Sequence, residues 1–221
     1  MNPQVLIGPS LGMIPDVGPF LSGVYGGVEG GAFNATLLST LNDIENKLAD
    51  IDSYLQSLGA QIAKNAINAE TLQAKSQIDT WYTSQAVTNW MEGSSITPIS
   101  TTTGTTGNLI QSDCNEYLNL IHSAIMQKNG EPVAWLQTQI NALLAASSSN
   151  QTVSYVETTY QYFLKLVHLQ MKGVACLRAT GGPNLTEVTL KVANNIIAQG
   201  GFCQKIAALR SSRYSHRLHR G

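Results

Sequence analysis

Leu37, Leu41, Ile44, Leu48, Ile51, Leu55, Leu58 and Ile62 alternate in steps of four and three without a miss. A strict heptad seam of this kind predicts one long helix. At 1.5 Å per residue it would extend about 40 Å. Asp43, Glu45, Lys47, Asp50 and Asp52 fall on its other faces. The seam serves either a homodimer or packing within the chain. The further helices predicted below favour packing within the chain.

Residues 66–92 continue as helix, with Asn65–Asn68 a natural kink because Asn is a weak helix former. Ser94 to Gly107 is a Ser/Thr-rich loop without charge, broken by Pro98, Gly104 and Gly107. Helix resumes from Leu109 to Lys128, before Asn129-Gly130, and again from Val133 to Ala146. The next helix spans Val153 to Ala179 and stops at Gly181-Gly182-Pro183. Asn184 and Glu187 then have the spacing of a capping box, opening a last helix to Leu209 with a weak point at Gly200-Gly201. No strand alternation appears. The expectation is an all-α antiparallel bundle of about six helices, two of them long, in one domain over 1–209. Residues 210–221 form a basic, flexible tail.

The helix around Leu164 is apolar on most of its circumference. Gln161, Lys165, His168 and Lys172 form its narrow polar stripe. Such a helix sits in the middle of a bundle or in a membrane. Two lysines in the stripe favour the bundle.

Composition changes the picture in one respect. Charged residues are 12% of the 221, about half the usual fraction. Residues 1–116 carry eleven acidic and three basic side chains, and residues 117–221 carry three acidic and ten basic. The halves can complement each other, or the basic half can meet an acidic partner.

Residues 1–33 are apolar and rich in Gly and Pro, and Asp16 is the only charge between Gln4 and Glu29. They lack the basic start of a signal peptide, and Pro9, Pro15 and Pro19 prevent one regular spanning helix. The segment must be covered in water, so it packs on the protein or enters a bilayer. Three sequons, at Asn34, Asn150 and Asn184, occur at about the frequency chance gives and decide nothing about secretion.

Candidate chemistry is sparse. There is no nucleophile elbow, P-loop, dinucleotide fingerprint, zincin motif or calcium loop. His122 reads as a satisfied core or boundary residue, and His216 and His219 lie in the tail. Cys114, Cys176 and Cys203 form no metal-ligand spacing, and a Cys176–Cys203 bridge is open in an oxidising compartment. An enzyme is not expected, and neither a cofactor nor a metal is called for. The tail arginines suit anionic lipid. A sequence pI of 6.4 weighs against nucleic acid.

The order of features resembles the N-terminal helical domain of insecticidal delta-endotoxins. The resemblance rests on I-P-D-V-G-P-F-L-S-G-V-Y-G-G, on A-I-N-A-E-T-L-Q-A-K-S-Q-I-D-T-W-Y, and on the apolar helix Y-V-E-T-T-Y-Q-Y-F-L-K-L-V-H-L-Q-M-K-G-V. It covers residues 5–209 through pattern rather than identities. The family's bundle usually has seven helices, and its β-rich receptor-binding domains have no counterpart here. Other α-helical pore formers with a long hairpin and a hydrophobic flap fit the same pattern.

The resemblance implies a pore-forming, toxin-like protein, released or secreted without a recognisable signal peptide. It would insert Val5–Val28 or a helical hairpin into a target-cell membrane. A protein or glycan receptor and a homo-oligomer are the further partners implied. The expected insertion contacts are Phe20, Leu21 and Val24, and the anionic-lipid contacts are Arg213, Arg217 and Arg220. The alternative is a non-enzymatic interaction or scaffold module using the heptad helix. Asp at positions 20 and 21 is expected to abolish liposome leakage while leaving the fold intact.

Overall fold

The computed structural model describes residues 15–28, 30–47, 69–84, 87–88, 111–126, 149–180 and 184–218. Among them the regular elements are all helical and no strand occurs. A 3₁₀ turn, Pro15–Val17, leads into α1, Gly18–Tyr25. The described part of α2 is 30–47. Then come α3, Ala69–Tyr82, and α4, Gln111–Met126. The last two are α5, Ser149–Ala179, and α6, Leu185–Leu218. The loop expected at 94–107, the kink at 65–68 and the helix expected at 133–146 lie outside the described residues.

Helix α5 lies at the centre, as its apolar circumference requires. Between 163 and 180 only Lys165, Lys172 and Arg178 escape full burial, and these are half-buried. Helices α3, α4 and α6 pack on α5. Helix α2 reaches it through Phe33, whose ring centroid lies 4.3 Å from the Arg178 guanidinium carbon. The seam residues Leu37, Leu41 and Ile44 are fully buried in this shared core, while Leu48, Ile51, Leu55, Leu58 and Ile62 lie outside the described residues.

The polar stripe of α5 is not a solvated face. His168 is buried, and Lys172 bonds Asp79 of α3 at 3.2 Å and sits 5.3 Å from the Tyr82 ring centroid. Lys75 takes the other Asp79 oxygen at 2.6 Å. The Lys172–Asp79 pair joins the basic half of the sequence to the acidic half.

Helix boundaries depart from the periodicity where hydroxyls intervene. Helix α3 ends at Tyr82, short of the expected residue 92. Thr83 Oγ1 donates to Asp79 O at 2.9 Å, and Ser84 Oγ accepts from Val87 N at 3.4 Å. Thr80 makes the same bond within α3, so the break belongs to Ser84, whose side chain accepts from Val87 N and whose carbonyl accepts from Thr88 N at 3.1 Å, opening a fresh turn. Helix α6 runs through Gly200-Gly201 and on to Leu218, nine residues past the expected end. The expected capping box takes another form, because Asn184 stands at φ 62°, outside the extended region a capping residue uses. Cys176 is a free thiol that donates to Ile78 O at 3.9 Å, so the bridge to Cys203 is not formed.

Gly173 sets how closely α3 and α4 approach the central helix. A Cβ there would stand 2.6 Å from Leu118 Cδ2, 3.1 Å from Leu118 Cγ and 3.4 Å from Ile78 Cδ1. A Cβ at Gly201 would meet nothing within 4 Å. Gly201→Ala is therefore expected to stabilise the fold by up to about 1 kcal/mol through helix propensity. At Gly173→Ala the same gain is opposed by overpacking of about 1–3 kcal/mol. Urea melts should show Gly201→Ala shifted up and Gly173→Ala unchanged or shifted down. Equal upward shifts would show that the α3–α4–α5 contact is not tight.

Candidate functional site

The amino-terminal apolar segment is held as a separate clasp. Proline at the second helical position suits α1, because its missing N–H would find no partner there. Val17, Phe20 and Leu21 are fully buried, and the Phe20 and Phe33 rings stack obliquely with centroids 6.1 Å apart. Gly23 faces α2, and a Cβ there would make ordinary contact, 3.5 Å from Phe33 Cδ2 and 3.8 Å from Thr36 Cγ2. Helix α1 also packs on α6, where the Tyr25 hydroxyl donates to Asn194 Oδ1. Lys47 of α2 pairs with Asp16 of the 3₁₀ turn.

The link from α1 to α2 turns on two glycines. Gly27 at φ +68° and Gly30 at φ +62° both use left-handed backbone that side-chain-bearing residues avoid. Cβ atoms at either would meet nothing within 4 Å. Helix α1 carries no charged residue, and its attachment comes from the packing of a few side chains rather than from chain continuity.

The structure brings Phe20 and Leu21 together in the core and leaves Val24 half-buried beside them. This corrects one expectation. Asp at positions 20 and 21 would bury charge where no water reaches, so that substitution would unfold the protein rather than test insertion. Arg213 and Arg217 fall four residues apart on the helical backbone of α6, and Arg220 lies outside the described residues.

A buried polar network was not foreseen. Gln170 and Gln199 exchange two hydrogen bonds of 2.9 Å between α5 and α6. Gln170 Nε2 also donates to Leu166 O at 3.2 Å, and Gln199 Nε2 lies 2.9 Å from His122 Nδ1. The signal was present in the sequence. Gln170 stands between Val167 and Val174, and Gln199 three residues after Ile196, both at core register. His122 is therefore a satisfied boundary histidine, accepting through Nδ1 in its neutral form.

Burial, aided by Lys191, pushes the His122 pKa down. Burial, with Lys172 next, also lowers His168, against the opposing pull of Glu45, the Leu41 backbone and Asp79. His168 Nε2 is buried without a hydrogen-bond partner. Burial alone would raise Asp79, but Lys75 and Lys172 outweigh it and hold the carboxyl below its usual value. Burial, aided by Asp113, pushes the Cys114 thiol up to about 12, and Cys176 is raised as well, so neither is a reactive thiolate at neutral pH.

Among the described residues no three His, Cys, Asp or Glu side chains cluster as metal ligands. No described helix is long and apolar enough to cross a membrane. No known protein family, no characterised protein and no solved structure shows detectable similarity to the chain.

The two histidines fix a direction of pH response. Each is a base whose pKa falls on folding, so the unfolded chain binds more protons below its ordinary value of about 6.5. Stability is full above that pH and is lost as pH falls from it toward the lower folded values. The urea midpoint should therefore fall between pH 7.5 and 5.5, and less so in His168→Gln. A midpoint that rises on acidification would contradict the burial of these side chains as neutral groups.

Proposed function

We propose that the chain is a membrane-active, pore-forming-toxin-like protein that releases its amino-terminal clasp to enter a target membrane. The reading rests on one observation: an uncharged apolar helix, α1, is docked through Val17, Phe20 and Leu21 and tethered by a link with two left-handed glycines. In water its burial is worth on the order of 1.5–3 kcal/mol per large apolar side chain. A bilayer interface offers a comparable exchange, because the residues leave one apolar environment for another. Phe20, Leu21 and Val24 are then insertion contacts in the released state and core residues in the resting one.

In this reading the helices form an antiparallel bundle whose long members are α5 and α6, of 31 and 34 residues. The short connection between them and their mutual packing support a hairpin. At 1.5 Å per residue each exceeds the ~30 Å hydrocarbon core. Their Gln170–Gln199 pair would stay bonded to itself if the hairpin followed the clasp into lipid, which lowers the cost of carrying polar groups there. Arg213, Arg217 and Arg220 would meet anionic headgroups, with a receptor and a homo-oligomer as further partners. For the alternative scaffold reading, the buried state of Leu37, Leu41 and Ile44 leaves those seam positions no surface to offer a partner.

A reversible lock tests the clasp. Cysteines replacing Gly23 and Thr36 would sit where a Cβ at Gly23 is 3.8 Å from Thr36 Cγ2, near disulfide range. The buried Cys114 and Cys176 are poor competitors for that bridge. The oxidised lock should release no dye from anionic vesicles, and reduction should restore release. Asp16→Asn with Tyr25→Phe, which removes two docking contacts, should speed release severalfold. Release that ignores the lock, or no release from reduced and folded protein, would overturn the proposal.

A further inference from the structure

The buried amide network that joins α4, α5 and α6 has a fixed polarity. The Leu166 carbonyl can only accept, so Gln170 must turn its Nε2 toward it, 3.2 Å away. The two paired bonds of 2.9 Å then require Gln199 to offer Oε1 to Gln170 Nε2 and Nε2 to Gln170 Oε1. The other hydrogen of Gln199 Nε2 is left for His122 Nδ1, 2.9 Å away, so that ring nitrogen must carry a lone pair. The ring is therefore neutral, with its proton on Nε2. One backbone carbonyl of α5 fixes the protonation state of a histidine on α4.

A proton on His122 Nδ1 would set two donors against each other. Turning the Gln199 amide over does not relieve this, because its Nε2 would then face Gln170 Nε2. Turning Gln170 in reply would bring its Oε1 against the Leu166 carbonyl. Both amides are buried, where a mispaired polar group costs its desolvation in full. The ring is only half-buried at the edge of the network, so the course open to the protonated ring is outward into water. Gln199 is then left with one hydrogen unpaired.

The charges around the ring do not favour a proton on it. Of the helices packed on α4, α6 presents Lys191, which opposes protonation. Helix α5 turns His168 and Lys172 toward α2 and α3 instead, and on α3 Asp79 is held by Lys75 and Lys172. On α4 itself Asp113 and Glu116 lie nine and six residues before His122. Among the described residues no acidic group bears on the ring.

We propose that His122 is a proton-operated latch: neutral, it pins α4 to α6 through Gln199, and protonated, it lets that contact go. Leu118 meets α5 at Gly173 whatever the charge on His122, and Gln170 and Gln199 remain bonded to each other. Release is therefore confined to the α4–α6 contact, and α5 and α6 stay joined. Burial holds the docked ring below its usual value, whereas a ring in water keeps the ordinary value of about 6.5. Below that pH the released ring holds a proton that the docked ring lacks, so acid favours release and the latch is shut above it. The latch does not rest on the membrane reading; within that reading it would free the α5–α6 pair from α4 as a unit.

Nuclear magnetic resonance on the full chain, without vesicles, tests this between pH 7.5 and 4.5. At pH 7.5 the nitrogen shifts of the His122 ring should show the neutral form protonated at Nε2. As the ring titrates, the Gln199 side-chain amide should shift with it. Hydrogen-exchange protection of that amide and of the backbone from Ile121 to Met126, corrected for intrinsic pH dependence, should fall about tenfold relative to α5. His122→Gln supplies an acceptor that does not titrate and should keep its protection throughout. His122→Ala leaves Gln199 unpaired at every pH and should show the low protection already at pH 7.5. His168, which lies toward α2, is present in all three proteins and cannot produce this pattern. A neutral ring protonated at Nδ1, a ring still neutral at pH 4.5, protection that ignores the His122 titration, or an equal fall in His122→Gln would overturn the proposal. A latch that opens in acid while vesicles keep their dye stands without the membrane reading, so the two fail separately.

Discussion

A helix apolar on most of its circumference cannot remain in water, and the rest of this structure follows from covering α5. Its burial between 163 and 180 takes four helices, because one neighbour can shield only about a third of a helical surface. Each contributes through a different contact. Helices α3 and α4 close on Gly173, α6 shares the Gln170–Gln199 pair, and α2 brings Phe33 against Arg178. The requirement also explains why so few charges suffice. On α5, Lys172 is answered by Asp79 and Gln170 by Gln199, whereas His168 Nε2 is buried without a partner.

The clasp is attached differently from the other helices. Helices α3 to α6 share contacts with one another as well as with the centre. Helix α1 depends on Val17, Phe20 and Leu21 on one side and on Tyr25 and Asp16 at its ends. Local unfolding free energy follows the number and burial of such contacts, so α1 belongs to the less strongly held part of the fold.

Much of the fold was legible in the spacing of apolar residues. The α5 pattern Phe163, Val167, Val174 and the seam residues Leu37, Leu41 and Ile44 are core positions in the structure as in the periodicity. What covers the stripe Lys165, His168 and Lys172 was not legible. Periodicity reports which residues share a face but not whether another helix covers that face, and α2 and α3 cover this one. The end of α3 at Tyr82 was illegible for a related reason, since Ser84 opens a fresh turn where the pattern would extend the helix. The candidate site was only half legible. The apolar, glycine-rich character of residues 1–33 was plain, but Phe20 and Leu21 as core residues were not.

The sequence by itself determined the helical class, the apolar circumference of α5 and the absence of charge from α1 with its glycine link. All three rest on properties of neighbouring residues within one or two helical turns. Tertiary structure alone decided that Lys172 of the α5 stripe meets Asp79, that His122 completes the Gln170–Gln199 network, and that His168 Nε2 is buried without a hydrogen-bond partner. Those outcomes depend on which surfaces meet across long sequence separations, and no local pattern encodes the partner that a buried polar group will find or lack.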